Sequence, residues 1–469
     1  MAKFFKMVHN EFIKIFAKVS TKIFLLFILL MVILFNIMMR IQVNYAVSLG
    51  GQNNKEELQS LRDSDIINDK IYLEEKEFII DNELDKSDQS TSWRETRVGA
   101  IFAQKMEFID NNKLVLPESL KKHHDKQLEL IKNNDAKAYC DYMISWVKSN
   151  NDMTQKDKDS EIWMYEFITK NNIYTPDETA DGTWKSELFG NVLSQKTIYE
   201  NLKENNNAGN EEDAKAFSDA EKGYLTGIYR IENNVKNVYQ GNSSEFFDTK
   251  NAYWSVIGNS ISLISIISLI VIIVAGAMIS SEFSGGTIKF LLINPISRGK
   301  ILMSKYFCLI SVSYIFIAAF FVFNVIVSGC FFGFGQLNAV SLTVSNGTVV
   351  QMPALIKLAS EYAIASISTV VYGTFAFMMS TLFKNSAFAI GIGVFSVTMG
   401  STIVVMLKHA FSQDWARYIL FANTDLTAVI NGTTGFSGHT LSFALINIAV
   451  YMVVFLLIAW DAFTRRDIK

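Results

Sequence analysis

Six stretches of this chain run without a charged side chain for about the length of a bilayer, and they leave few options for its architecture. They cover 23–39, 251–281, the first part of 306–356, 362–383, 385–407 and 440–460. A helix needs ~20 apolar residues to cross the ~30 Å hydrocarbon layer, where backbone groups must be satisfied within the span. The first run has only 17 residues, but Ile41 and Val43 extend it past Arg40, whose long stem lets its charge reach the interface. Half of the 469 residues are hydrophobic and 19% are charged, which is not the balance of an ordinary soluble protein.

The net charge of −3 hides a partition. Residues 46–252 hold 26 Lys/Arg and 39 Asp/Glu, a net of −13, and the remainder holds 17 and 7, a net of +10. An acidic soluble domain is therefore inserted into a basic membrane frame. Lysines 3, 6, 14, 18 and 22 face one acid, Glu11, in the N-terminal tail; Lys289, Arg298, Lys300 and Lys305 face Glu282 in the central elbow. Arg465, Arg466 and Lys469 follow the last run, with Asp461 and Asp467. With six spans all three basic segments fall on one side, which the positive-inside rule makes cytoplasmic. The expected fold class is thus an all-α polytopic membrane protein with six transmembrane helices and a largely helical extracytoplasmic domain between spans 1 and 2. The localisation expected is the cell membrane, multi-pass, with N and C termini cytoplasmic.

The domain boundaries follow: 1–20 an amphipathic interfacial helix with Phe4, Phe5, Phe12, Ile15 and Phe16 as its apolar bulk, or else a charged anchor for the first span; 21–45 the first span; 46–252 the outer domain; 253–469 the remaining spans at about 253–279, 306–334, 362–383, 387–407 and 440–460. Ala46-Val47-Ser48 resembles a signal-peptide cleavage site, but a 22-residue basic leader is long for that role. Of the cysteines at 140, 308 and 330, one lies in the outer domain, which leaves no internal disulfide framework there. In that domain Ser92-Trp93-Arg94-Glu95 reads as a capping box opening a helix to about Asn111, and Pro117 as a first helical position. Further helices are expected over 135–149 and 159–171, and residues 204–215 as a mobile loop. Asn346-Gly347 between β-formers predicts a hairpin. Residues 410–431 are too polar to span and suit a helix or re-entrant segment at the outer interface.

Little in the spans carries chemistry. Glu361 and Asp461 sit at span edges, and no ionisable group lies at midplane, where ion-coupled carriers place theirs. There is no G-x-x-x-x-G-K-[ST] phosphate loop. Ser284-Gly285-Gly286 reads as a flexible break before a short surface helix, Thr287–Ile293, with Ser297 capping the third span. His123-His124 is adjacent rather than i,i+4 and is expected on a solvated helix face. The elbow lacks the aromatic interleaving of a nucleic-acid site. Ser262, Ser265 and Ser268 repeat every three positions, Asn324 lies within the third span, and Ala389/Gly393 and Ser396/Gly400 are small-residue pairs. Close helix packing accounts for such residues; a substrate path is the sharper reading for the serine row and Asn324.

The elbow itself, SEFSGGTIKFLLINPISRGKILMSK at 281–305, resembles the type-2 (ABC-2) permeases of ATP-binding cassette exporters. Their cytoplasmic segment after the second span reads approximately E-x-x-x-G-T-x-x-x-L-L-x-x-P-I-S-R, followed by a Lys. The matching residues are Glu282, Gly286, Thr287, Leu291, Leu292, Pro295, Ile296, Ser297, Arg298 and Lys305. Phe383-Lys-Asn-Ser386, Phe463-Thr-Arg-Arg-Asp467 and the early Glu11 and Lys14 also resemble that family. The likeness covers 1–45 and about 253–469 and leaves out 46–252.

The resemblance implies that 281–298 is a coupling helix seated on a separate ATPase subunit, with Glu282, Gly286, Thr287, Leu291, Leu292, Pro295 and Arg298 as the coupling residues. It implies a non-catalytic subunit with no cofactor of its own, ATP and Mg being held by the partner. The expected assembly is two permeases, identical or paralogous, and two ATPases in a lipid bilayer, exporting a hydrophobic or amphipathic peptide, lipid or drug. The alternative is a sensor or resistance module whose outer domain binds an antimicrobial peptide and signals, or removes it, without true transport.

Overall fold

A computed structural model describes residues 2–49, 67–82, 84, 92–110, 116–175, 183–204, 211–239, 252–286, 297–411, 414–430, 434, 436 and 438–465. Among these the protein is almost entirely helical, and six helices are long and apolar enough to cross a membrane. It is a multi-pass membrane protein. Contacts divide the chain into two compact units: 1–43 with 239–341 and 352–469, and 44–238 with 342–351.

In the membrane frame, α1 (Ala2–Ala17) precedes the first span, α2 (Val19–Leu49). The amphipathic pattern of α1 places Ile15 in the frame's core while Phe5 and Ile13 stay exposed. The remaining spans are Ala252–Ser284, Arg298–Phe332, Ala354–Phe383, Ser386–Ala410 and Leu441–Thr464. The third begins at Arg298, not near 306, so the basic end of the elbow is helical. The fourth span is the most enclosed, packed by the second, third, fifth and sixth. Small residues let these backbones approach: a β-carbon on Gly276 would lie 2.7 Å from Ile390, and one on Gly393 would lie 2.6 Å from Ile272. Gly400 makes room for Phe421 in the same way. Ala389/Gly393 and Ser396/Gly400 are thus accounted for by packing. The outward faces stay apolar, with Leu26, Leu34, Met406, Ile446 and Leu457 exposed, as surfaces facing lipid should be.

The other unit is built on seven helices among the described residues: α3 (Ile67–Asp81), α4 (Trp93–Asp110), α5 (Glu118–Lys132), α6 (Ala136–Ser149), α7 (Gln155–Lys170), α8 (Trp184–Glu204) and α9 (Glu211–Glu232). Ser92 caps α4 as the sequence predicts: its Oγ accepts from the Glu95 backbone N–H at 3.2 Å. Asp135 and Thr154 cap α6 and α7 through their side chains. Pro117 takes the cap position itself, one residue before the first helical one. Residues 211–215, expected in a loop, start α9; 205–210 lie outside the described residues. An aromatic core fills the interior, with Trp93 stacked on Tyr174 at 4.9 Å beside Tyr139 and Tyr165.

The histidine pair corrects the sequence reading. His123 and His124 are both buried. His123 stacks on Trp146 at 4.0 Å and its Nδ1 lies 2.9 Å from the Tyr142 hydroxyl; His124 Nε2 lies 3.1 Å from Gln104 Oε1. Adjacent positions on a helix differ by only about 100°, so one apolar stripe can take in both rings.

The hairpin forms as expected, with β2 (Val340–Ser345) and β3 (Thr348–Pro353) joined by Asn346 and Gly347, both at positive φ. A two-residue strand, β1 (Val238–Tyr239), completes a sheet of order β1-β2-β3. Residues 342–351 belong to the same compact unit as 44–238. The hairpin tip therefore packs in one unit with the acidic segment, although two spans separate them in the sequence. Residues 414–430 form three short pieces, Asp414–Tyr418, Leu420–Ala422 and Leu426–Ile430, rather than one helix. Asn423 is the reason: its side chain donates to the carbonyls of Arg417 and Ile419 and meets His439 at 2.9 Å, holding a turn where a helix would continue.

Candidate functional site

Lys305 is the most buried charge in the protein's described residues, with its side chain 2% exposed, and it organises one end of the membrane frame. Its ammonium lies 2.8 Å from Glu11 Oε2 and 2.6 Å from Glu282 Oε1. Lys14, one turn after Glu11, adds a contact of 2.9 Å to Glu11 and one of 3.9 Å to Glu282. Two ammonium groups and two carboxylates close a neutral cluster. Burial alone would raise the Glu11 carboxyl; the charges and hydrogen bonds of Lys305 and Lys14 outweigh it and hold the group below its usual range. Taking such charges out of water costs several kcal/mol per ion, so the cluster is favourable only while all its members are present.

Three segments far apart in sequence supply the cluster, and neighbouring residues tie two more to it. The second span ends at Ser284, Gly285 caps it, and Gly286 leaves at φ +68. The Ser-Gly-Gly sequence is thus a helix terminator. Lys384 ends the fourth span at φ +54 and lays its ammonium 4.6 Å from the Phe283 ring centre, and Asn385 Oδ1 caps the fifth span by accepting from Phe388 N–H. Arg298 donates to the Thr464 carbonyl at 3.4 Å, beside buried Phe463, and Arg465 pairs with Asp461. Ser297 occupies the cap position of the third span, but its side chain makes no cap bond. Of the coupling residues the resemblance implies, Glu282 joins the cluster, Gly286 follows it at the end of the second span and Arg298 opens the third, while Thr287, Leu291, Leu292 and Pro295, with the short helix expected over 287–293, lie outside the described residues.

The serine row divides in its partners but shares a cavity. Ser262 and Ser265 are exposed and turn back to the carbonyls three residues earlier; Ser268 is buried and bonds Thr369 Oγ1 at 2.8 Å. All three line a cleft of about 420 Å³ with Ser368, Tyr372 and Ser401. Asn324 is not part of it. It is fully buried in the third span, its Nδ2 donates to the Phe320 carbonyl, and its Oδ1 has no hydrogen-bond partner among the described residues. One turn further on, Ser328 donates to Asn36 Oδ1 at 2.8 Å, which clamps the first span to the third.

The model of the family described as "Protein of unknown function (DUF2705)" matches residues 231–469. The chain belongs to that family. It is 36% identical over 242 residues to the uncharacterized protein YhcI of Bacillus subtilis (strain 168), covering 51% of this chain and 74% of that one. It is 32% identical over 209 residues to the uncharacterized membrane protein YdbK of the same organism, covering 44% and 80%. No solved structure matches. The stretch matched by the family holds Glu282, Arg298, Lys305 and Lys384 but not Glu11, so within this DUF2705 chain the cluster draws one carboxylate from outside the matched part.

Sequence reasoning missed Asn36 and the link between Glu11 and Lys305. Glu11 as the lone acid among five lysines was the available signal, since a single opposite charge in a basic tail needs a partner. Among the described residues no group of His, Cys, Asp and Glu is placed to hold a metal ion.

Proposed function

We propose that this chain is the membrane subunit of an ATP-driven exporter of the ABC-2 permease type, in the cell membrane with both termini and the elbow cytoplasmic. The observation that supports it is the convergence at one end of the frame. Glu11, Lys14, Glu282 and Lys305 form one ion cluster, Lys384 lies over the Phe283 ring and Arg298 bonds the Thr464 carbonyl, and these residues come from the four segments that resemble that family. A helix end fixed by ion pairs to its neighbours transmits force applied to the elbow into α1 and two spans, which is what a coupling segment must do. ATP and Mg belong to a separate ATPase, and a second permease completes the path. The serine-lined cleft, polar but uncharged except for Asp425 at its rim, suits a hydrophobic or amphipathic cargo with a few hydroxyl or amide groups.

The test is to purify the tagged chain from its native host in mild detergent and identify what co-elutes. The reading expects a P-loop ATPase whose hydrolysis falls at least tenfold with Leu291→Glu plus Leu292→Glu, in complexes that still co-elute. Recovery of an intact chain with no ATPase, or unchanged hydrolysis in the double variant, refutes it. The size of the acidic unit, with its own aromatic core, favours a second reading in which that unit binds a cationic antimicrobial peptide. Peptide-stimulated hydrolysis without peptide export would select this reading.

A further inference from the structure

Beside the ion cluster lies a groove of about 650 Å³ that the exporter reading does not use. Its walls are the end of α1, the start of the first span and the last turns of the second. One end is polar, with Lys14, Lys18 and Ser20; the other is apolar, with Phe24, Val274 and Met278. Glu11 and Glu282 also line it, but both already face Lys305 at 2.8 and 2.6 Å. Counting Lys305, three ammonium groups stand against two carboxylates, so the polar end keeps positive charge. Lys14 is 54% exposed on its side chain, and Lys18 is exposed with no ion pair to any described residue.

We propose that this groove binds one anionic phospholipid from the adjacent leaflet. The phosphate diester sits between Lys14, Lys18 and the Ser20 hydroxyl, and the upper acyl chain lies along Phe24, Val274 and Met278. An amphipathic basic helix sits at headgroup depth, and each lysine near the surface favours anionic over neutral lipid by about fivefold. The volume falls within the ~300–1,000 Å³ of small-molecule sites, enough for a headgroup and the first part of its chains, with the rest continuing over the exposed apolar face of the spans. The groove's polar end opens directly onto the cluster, so an occupying headgroup would cover Lys14 and the rim of Glu282. The proposal does not depend on an ATPase partner.

Native mass spectrometry of the full purified chain tests it, with phosphatidylglycerol and phosphatidylcholine of the same acyl chains as probes. One phosphatidylglycerol is expected to be retained in preference to phosphatidylcholine. Lys18→Gln, which touches no ion pair of the cluster, should cut that preference about fivefold, and Lys14→Gln with Lys18→Gln about tenfold or more. Met278→Trp, which fills the apolar end, should reduce retention of both lipids. Equal retention of the two lipids overturns the proposal, as does an unchanged preference in Lys18→Gln. Displacement of the bound lipid by soluble glycerol 3-phosphate also overturns it, because the site would then read phosphate alone.

Discussion

Replacing Lys305 by Met is the sharpest probe of the frame, because it preserves most of the side-chain volume and removes only the charge. Glu11 and Glu282 would then face each other with 11% and 13% of their side chains exposed. Breaking a buried ion pair by deleting one partner costs about 3–5 kcal/mol, since the other charge stays buried and uncompensated. Lys14 remains 2.9 Å from Glu11 and 3.9 Å from Glu282, which places the cost at the lower end, about 3 kcal/mol. For a body of this size that amounts to a fall of about 6–12 °C in apparent melting temperature. The measurement is a thermal scan of the detergent-purified chain. Adding Glu11→Gln and Glu282→Gln to Lys305→Met removes the stranded charges and should restore most of the loss. A single variant melting within about 2 °C of the parent, or a triple variant no better than the single, would show that these groups are hydrated and that the cluster does not hold α1 to the spans.

Two further outcomes follow from local geometry. Gly286→Ala meets no steric contact within 4 Å but must hold φ +68, so it should lose about 1 kcal/mol of stability by the same scan, with Gly286→Asn losing less; equal stability of Ala and Gly there would mean that the helix does not end as described. His123 titrates below its usual range, near 4, because burial disfavours its charged form and His124 adds to this. The unfolded chain therefore binds this proton first, and the contribution to stability that is full above about pH 6.5 declines as pH falls toward 4. Fluorescence of Trp146, stacked on the ring, should report a step centred near pH 4 that His123→Leu abolishes; a step near 6.5 would mean a solvated ring.

What could be read in advance was whatever lies in local pattern. Charge-free runs located six spans, because exclusion of charge from hydrocarbon acts on each segment by itself. Ser92 and Glu95, or Asn346 and Gly347, announce a cap and a turn through residues three or fewer positions apart. The cluster could not be read so, because Glu11 and Lys305 are 294 positions apart and only the packing of α1 against the third span brings them together. The same limit hid the Asn36–Ser328 clamp, 292 positions apart. His123 failed in the opposite way: helical spacing alone does not reveal that Trp146 and Tyr142 from the next helix cover it.

The cluster also changes what the elbow can offer to a partner. Counted along the sequence, Lys289, Arg298, Lys300 and Lys305 make it a basic patch. In the folded chain Lys305 is enclosed by two carboxylates, and Arg298 turns toward the Thr464 carbonyl. Among the elbow's described cations Lys300 therefore stays at the surface, and Lys14 and Lys18 add exposed positive charge beside Glu282. Association governed by charge weakens steeply with salt, whereas apolar docking does not. The buried charges act inward, fixing the end of the second span to α1 and the third span.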